Sequence, residues 1–299
     1  MSAALVLEQA FNGLQLGMIL FLMAVGVTLA FGVMSLINLA HGSMLMLGAY
    51  FIAAAGTHIT AYPLAFVAAL LLTALCAVAL EWLVMRPLYQ RGHLDQVLAT
   101  FGVSIAINEA VVMLWGREAV FVAPPEWLDG AVAITETVSY PLYRLAITAV
   151  AALAGLALWL LLARTRLGMR IRAGAENGDI VGALGVNVRL LFCGVFVISS
   201  LLAALGGVML GPLIAVQAGM GDPLLILALA VVVIGGVGSL KGALVASLAV
   251  GVIDTFGRMI WPQLLGDLLG NIVANGAVYL LMALVIAIRP TGLYGQHGN

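Results

Sequence analysis

Charge is what this sequence has least of. Aspartate, glutamate, lysine and arginine together make up 8% of its 299 residues, against about 25% in an ordinary soluble domain. The net charge is -1 and there is no block of basic residues, so nothing points to nucleic acid. Cysteine is scarce too. Cys76 and Cys193 sit in apolar runs without a CxxC or Cys/His cluster, which excludes a disulfide framework and a sulfur metal site. They are expected to be small core residues. The chain lacks HExxH, GxSxG and aspartate pairs in facing apolar runs, which argues against an intramembrane enzyme. It lacks a phosphate-binding GxxxxGK[ST], so it is not expected to hydrolyse ATP itself. No polar stretch is long enough for a separate soluble domain, so residues 1–299 are read as one transmembrane domain. The N-terminus has no basic region or cleavage site, and its first apolar run is expected to be retained.

Apolar residues are present in excess: 64% of the chain, with a mean hydropathy of +1.18. One aqueous core could not hide that much surface, so lipid must be the main solvent. Nine runs emerge, at about 10–34, 43–56, 62–85, 96–115, 141–163, 190–213, 224–237, 243–260 and 268–288. A membrane-spanning helix takes roughly 20 apolar residues. Backbone in lipid must satisfy its own hydrogen bonds, and the runs do not alternate as barrel strands would, so all are read as helices. The expected fold is all-α and polytopic, with about eight or nine transmembrane helices.

Arginine and lysine orient it. If the N-terminus is outside and every run crosses, the cytoplasmic segments hold Arg86, Arg91, Arg164, Arg166, Arg170, Arg172, Arg189, Lys241 and Arg289. Only Arg117, Arg144 and Arg258 then face outside. The positive-inside rule selects this orientation, with a cytoplasmic C-terminus. The acidic loop Gly116–Tyr140 suits the exterior.

One stretch breaks the apolar pattern: "SLINLAHGSMLMLGAY", Ser35–Tyr50. It places Asn38, His41, Gly42 and Ser43 ahead of a short run of about fourteen residues, ~21 Å of helix. It reads as a discontinuous segment near 35–48. Irregular backbone at membrane depth occurs only where it is buried in protein or lines a cavity. These residues therefore either line or gate a path, or form a cytoplasmic-side turn capped by Asn38 and bent at Gly42. No second ligand stands three or four residues from His41, so it is not a metal site.

A second glycine-rich stretch, "IGGVGSLKGALVASL" at Ile234–Leu248, shares G-V-x-S-L with "FGVMSL" at Phe31–Leu36. An internal repeat and chance both explain four matched residues. Ala203/Gly207/Gly211, Ala243/Ser247/Gly251 and Gly13/Gly17 are spaced by four, as helix-packing stripes are. Charges within the runs are few. Glu81 is expected to reach the interface near Arg86, Glu109 to point to water, and Asp254 to pair with Arg258 at i+4. No acid-to-acid relay of a proton-coupled pump is visible.

The longest segment on the basic side is "RTRLGMRIRAGAENGDIVGALGVNVRLL", Arg164–Leu191. It starts basic, then reads as a short amphipathic helix ending at Gly185, and is either a topological anchor or a docking surface. "RIRAGAENGDIVGALGVNV" resembles the coupling-loop region of bacterial ABC importer permeases, and more narrowly of the LivH-type branched-chain amino acid permeases. "GVTLAFGVMSLINLAHGSMLMLGAY", "GGVGSLKGALVASLAVGVID" and "IRPTGLYG" resemble that family's first block, a later block and its C-terminal ending. The four blocks keep the family's order and span nearly the whole chain.

The resemblance implies a permease subunit of an ATP-driven importer of branched-chain amino acids in the bacterial cytoplasmic (inner) membrane. It implies a second, LivM-like permease as partner. Two cytoplasmic ATPases would use the ATP and dock at about 164–189, and an extracytoplasmic binding protein would deliver substrate. By position Ala175, Glu176 and Gly185 match the coupling motif, and Leu184 lies on its apolar face. Asn38, His41 and Gly42 match the first block, with Ser43 beside them. Gly235, Gly236, Gly238, Ser239 and Gly242 match the glycine block. No cofactor is expected on this chain. The Ser35–Tyr50 break is expected to line or gate the pore beside the permease partner. Two other readings stay open: a urea or short-amide permease sharing these blocks, and a secondary transporter or channel acting alone.

Overall fold

The computed structural model describes residues 3–135 and 138–295. Its helices are α1 (Ala3–Met34), α2 (His41–His58), α3 (Tyr62–Leu88) and α4 (His93–Trp115). A hairpin of β1 (Ala131–Thr135) and β2 (Val138–Pro141) precedes α5 (Leu142–Arg164). Then come α6 (Arg166–Glu176), α7 (Gly178–Ala183), α8 (Val188–Leu210), α9 (Gly221–Gly235), α10 (Leu240–Leu265) and α11 (Asp267–Ile288). Seven helices among the described residues, α1, α3, α4, α5, α8, α10 and α11, are long and apolar enough to cross a bilayer. The shorter α2 and α9 complete the nine apolar runs. The chain is an all-α, multi-pass membrane protein, and it carries an antiparallel hairpin that hydropathy did not announce.

Two compact units divide the chain. The first holds residues 1–28, 124–153 and 226–299. Here Gly13 and Gly17 of α1 face Gly251 and Ser247 of α10, backbone against backbone. The two glycine-spaced stripes read from the sequence are therefore partners. Tyr140 of β2 is buried, its ring 5.2 Å from Phe11 and its hydroxyl donating to Asn12 Oδ1 at 3.1 Å. Arg144 also donates to Asn12 Oδ1. Asp254 of α10 is buried and takes both a 2.8 Å and a 3.0 Å hydrogen bond from Arg258, which also donates to Asn275 of α11. The expected i+4 pair is present.

The second unit holds residues 29–123 and 154–225. Its centre is α2, buried from His41 to Tyr50. A Cβ on Gly48 would collide with the backbone of Ala204, and one on Gly207 with the carbonyl of Leu45. Only hydrogen at these positions lets α2 and α8 approach so closely. Near its end α3 widens into a π turn, Glu81–Met85, in which the N–H of Arg86 donates to the carbonyl of Glu81. An i to i+5 bond is the mark of that turn, and it brings Arg86 beside the Glu81 carboxylate at 3.0 Å. Glu81 is fully buried, not at the interface as its position near Arg86 suggested. The i+5 turn, invisible to a 3.6-residue reading, turns it inward. Cys76 and Cys193 form no disulfide and are half-buried.

Candidate functional site

The chain leaves α1 through Ser35, whose φ of +50° is the one left-handed non-glycine among the described residues. That conformation ends a helix abruptly. Asn38 is buried, and its Oδ1 accepts a hydrogen bond from the N–H of Ala40 at 3.0 Å. This Asx turn aims the chain into α2. Asn38 is thus a turn-former two residues before the Ala40 cap position, rather than the helix cap itself. His41 is 1% exposed, and Ser43 shares a 3.1 Å hydrogen bond with Ser104 of α4. Gly42 meets the start of α9, where an added Cβ would lie 2.8 Å from the carbonyl oxygen of Gly221.

The break does not sit at the end of the neighbouring helix. The N–H of Leu39 donates to Thr100 Oγ1 at 3.1 Å. Thr100 is seven residues into α4, ~10 Å along a helix of ~34 Å. Non-helical backbone therefore lies alongside the body of an apolar helix of membrane-spanning length.

That contact exposes a feature the sequence reading missed. Gln96, Thr100, Ser104 and Asn108 recur every four residues along one face of α4. The first three are buried. Gln96 Nε2 donates to the carbonyls of Leu88 and Arg91 at 3.2 and 3.3 Å, pinning the α3–α4 turn. Thr100 takes Leu39, Ser104 takes Ser43, and Asn108 Nδ2 donates to Asp222 Oδ2 at 3.4 Å at the start of α9. A polar seam thus runs along α4 and is answered by α2 and α9. Gln96 Oε1 and Asn108 Oδ1 are buried acceptor atoms without a donor. The four-residue spacing was legible, but each residue alone looked like an incidental polar group in an apolar run. Next to the seam, Val111 of α4 lines an apolar groove of about 350 Å³ with Met44, Leu47 and Phe51 of α2.

The glycine block lies in the first unit. Gly235 and Gly242 touch backbone to backbone, and Gly236 and Gly238 have φ of +97° and +82°. Ser239 caps α10, its Oγ accepting from the N–H of Gly242 at 3.0 Å. The C-terminal segment closes over this turn. The N–H groups of Leu293 and Tyr294 donate to the carbonyls of Ile234 and Gly235 at 2.9 and 3.0 Å. A Cβ on Gly292 would lie 2.6 Å from Gly236 Cα. Two distant blocks of sequence, the glycine block and the "IRPTGLYG" ending, are therefore one structural unit. The two G-V-x-S-L copies do not share a conformation, because Ser35 is left-handed and exposed while Ser239 is an extended helix cap.

The segment 164–189 folds as two helices rather than one. Thr165 caps α6 through the N–H of Gly168 at 3.1 Å, and Asn177 caps α7 through Ile180 at 3.0 Å. Asn177, extended at φ -158°, is the joint. α6 is amphipathic: Gly168, Ile171 and Gly174 face inward, and Arg166, Arg170 and Arg172 outward. Ala175, Glu176, Leu184 and Gly185 are all exposed, Leu184 at 78% and Gly185 in the left-handed region at φ +86°. Ile180 (59%) and Leu190 (70%) add apolar surface beside them. Below α7, a groove of about 720 Å³ is lined by Trp82, Arg86, Tyr89, Arg189 and Phe192. Tyr89 donates to Glu81 Oε1 at 2.9 Å. Burial, then the Glu81 charge, push its phenol well above the ordinary tyrosine range, so it stays a donor. Among the described residues no group of His, Cys, Asp and Glu could hold a metal.

A multi-pass helical membrane protein in which non-helical backbone packs against a buried polar seam has the build of a permease. The chain belongs to the family described as "Branched-chain amino acid transport system / permease component", whose profile matches residues 9–288. It is 33% identical to the high-affinity branched-chain amino acid transport system permease protein BraD of Pseudomonas aeruginosa over 97% of this chain and 96% of that one. It is 29% identical to the permease protein LivH of Escherichia coli K12 over the same shares of the two chains. A probable LivH of Methanocaldococcus jannaschii is 22% identical over 93% of this chain and 89% of its own. No solved structure matches it significantly.

Proposed function

We propose that this chain is a permease subunit of an ATP-driven ABC importer that moves branched-chain aliphatic amino acids across the bacterial cytoplasmic membrane. The observation that carries the reading is the near full-length similarity to BraD, a relative named for that transport. The whole chain acts as one transmembrane permease domain. Its N-terminus is outside and its C-terminus cytoplasmic, an orientation supported by the nine-to-three split of basic residues when all nine runs cross. It pairs with a second permease, receives substrate from an extracytoplasmic binding protein, and binds no cofactor. Two cytoplasmic ATPases bind and hydrolyse the ATP. Hydrolysis shifts the permease between outward- and inward-open states, which ligands bias only through differential affinity.

The ATPases dock at 164–189, on the surface made by Ala175, Glu176, Leu184 and Gly185. The exposure of Leu184, Ile180 and Leu190 beside outward-facing arginines supports this, since an apolar patch in a water-facing loop is unfavourable unless covered. Asn38, His41, Gly42 and Ser43 line or gate the path, supported by their place against the polar seam. Gly235, Gly236, Gly238, Ser239 and Gly242 form the turn that the C-terminal segment locks.

The test is reconstitution with the neighbouring subunits in liposomes. Leucine uptake should require ATP, the ATPases and the binding protein. Leu184→Glu should insert normally but lose ATPase co-purification and uptake, because a charge buried at a docking surface goes unpaired. Transport by the purified chain alone would mean a channel or secondary transporter instead.

A further inference from the structure

The polar seam of α4 ends at Asn108 and Asp222. All the groups there are acceptors or neutral. Asn108 gives one N–H to Asp222 Oδ2 at 3.4 Å, and its own Oδ1 is a buried acceptor with no donor. Among the described residues the two ion pairs are Glu81–Arg86 and Asp254–Arg258, and Asp222 is in neither. Its carboxylate is half-buried in the first turn of α9. Gly221 packs against Gly42, and the N–H of Gly219 reaches Met46 of α2 at 3.3 Å. The backbone on either side of Asp222 is thus fixed against α2, and its carboxylate meets Asn108 of α4.

Two acceptors, one of them anionic and lacking a counter-ion, complement a group with several N–H donors and a positive charge. A primary ammonium has three donors and no acceptor. We propose that Asp222 and Asn108 form a subsite for the α-ammonium group of the transported amino acid. This rests on the reading of the chain as an amino-acid permease. Asn108 both orients the carboxylate through its amide N–H and offers its carbonyl to the same ammonium. Charge-assisted bonds of this kind are the strong ones. The aliphatic side chain makes no demand on the subsite, which therefore accepts the family of branched substrates alike.

The experiment uses the complete reconstituted complex, with Cys76 and Cys193 replaced by alanine and Ala218→Cys as a thiol reporter, half-buried next to Gly219, whose Cβ position lies 3.6 Å from Asp222 Oδ2. Leucine and isopentylamine, which carry the ammonium, should slow modification at 218 severalfold. 4-Methylpentanoate, which carries only the carboxylate, should not. Protection should vanish when Asp222→Asn is added. Equal protection by 4-methylpentanoate, or protection that survives Asp222→Asn, would overturn the subsite. Uptake kinetics in the unaltered background give an independent measure. Asp222→Asn should raise KM about tenfold or more, the loss expected for a charge-assisted hydrogen bond, and Asp222→Glu should restore part of it. An unchanged KM in Asp222→Asn overturns the proposal. Failure of the wild-type complex to take up leucine would instead remove the substrate reading, and isopentylamine protection would still report on the subsite.

Discussion

Gly207 illustrates how single atoms set this structure. Its missing Cβ would overlap the carbonyl of Leu45, so α2 and α8 touch through backbone. Gly207→Ala must push them apart and should destabilise the protein by about 1–3 kcal/mol, the usual cost of overpacking. Gly102 of α4 is the control, since nothing lies within 4 Å of its would-be Cβ. Gly102→Ala should be neutral or stabilising by up to about 1 kcal/mol, through a better helix propensity. Thermal melts in detergent compare the two, and equal losses would contradict the packing argument. Composition alone could not separate these glycines. Both sit in apolar helices, and only the neighbour that each one faces differs.

At the scale of the element, the π turn of α3 makes its own prediction. Glu81 is fully buried and held by Arg86 at 3.0 Å and Tyr89 at 2.9 Å. Arg86→Met leaves a buried carboxylate with the tyrosine alone. A clear loss of stability is expected, because the carboxylate left behind is fully buried while Arg86 is partly exposed. Glu81→Gln added to Arg86→Met removes the uncompensated charge and should recover a good part of that loss. A double variant no more stable than Arg86→Met would sink this account. The same scale explains how α2 became legible as a break. The sequence showed polar residues and a short apolar run, and the Asx turn at Asn38 is itself local, but the seam on α4 is answered through hydrogen bonds across more than sixty positions, Ser43 to Ser104 among them. No local pattern encodes such pairs.

For the whole molecule, α5 offers a topology test independent of the helix count. This largely apolar helix of 23 residues links the hairpin loop to the loop of α6 and α7. On the proposed topology the two loops emerge on opposite faces of the membrane, with the arginine-rich one inside. In a cysteine-free background, Asp129→Cys should react with an impermeant thiol reagent only from outside, and Ala183→Cys only from the cytoplasmic side. Labelling of both from one side would refute the spanning role of α5, and a reversed pattern would refute the orientation.

By itself the sequence determined the solvent, the fold class and the family. Those depend on composition, on run length and on blocks of contiguous residues, all of which survive without coordinates. It also determined which short stretches would be irregular, because glycine, asparagine and serine in an apolar chain have few other uses. The tertiary structure alone decided what those stretches meet. The glycine block binds the C-terminal segment, Gly42 meets Gly221, and Asn108 meets Asp222. It also turned Glu81 inward and split 164–189 at Asn177. The physical reason is the same in each case. Backbone close approach and buried hydrogen bonds are relations between segments far apart in the chain, and a residue's partner is set by packing rather than by its neighbours in sequence.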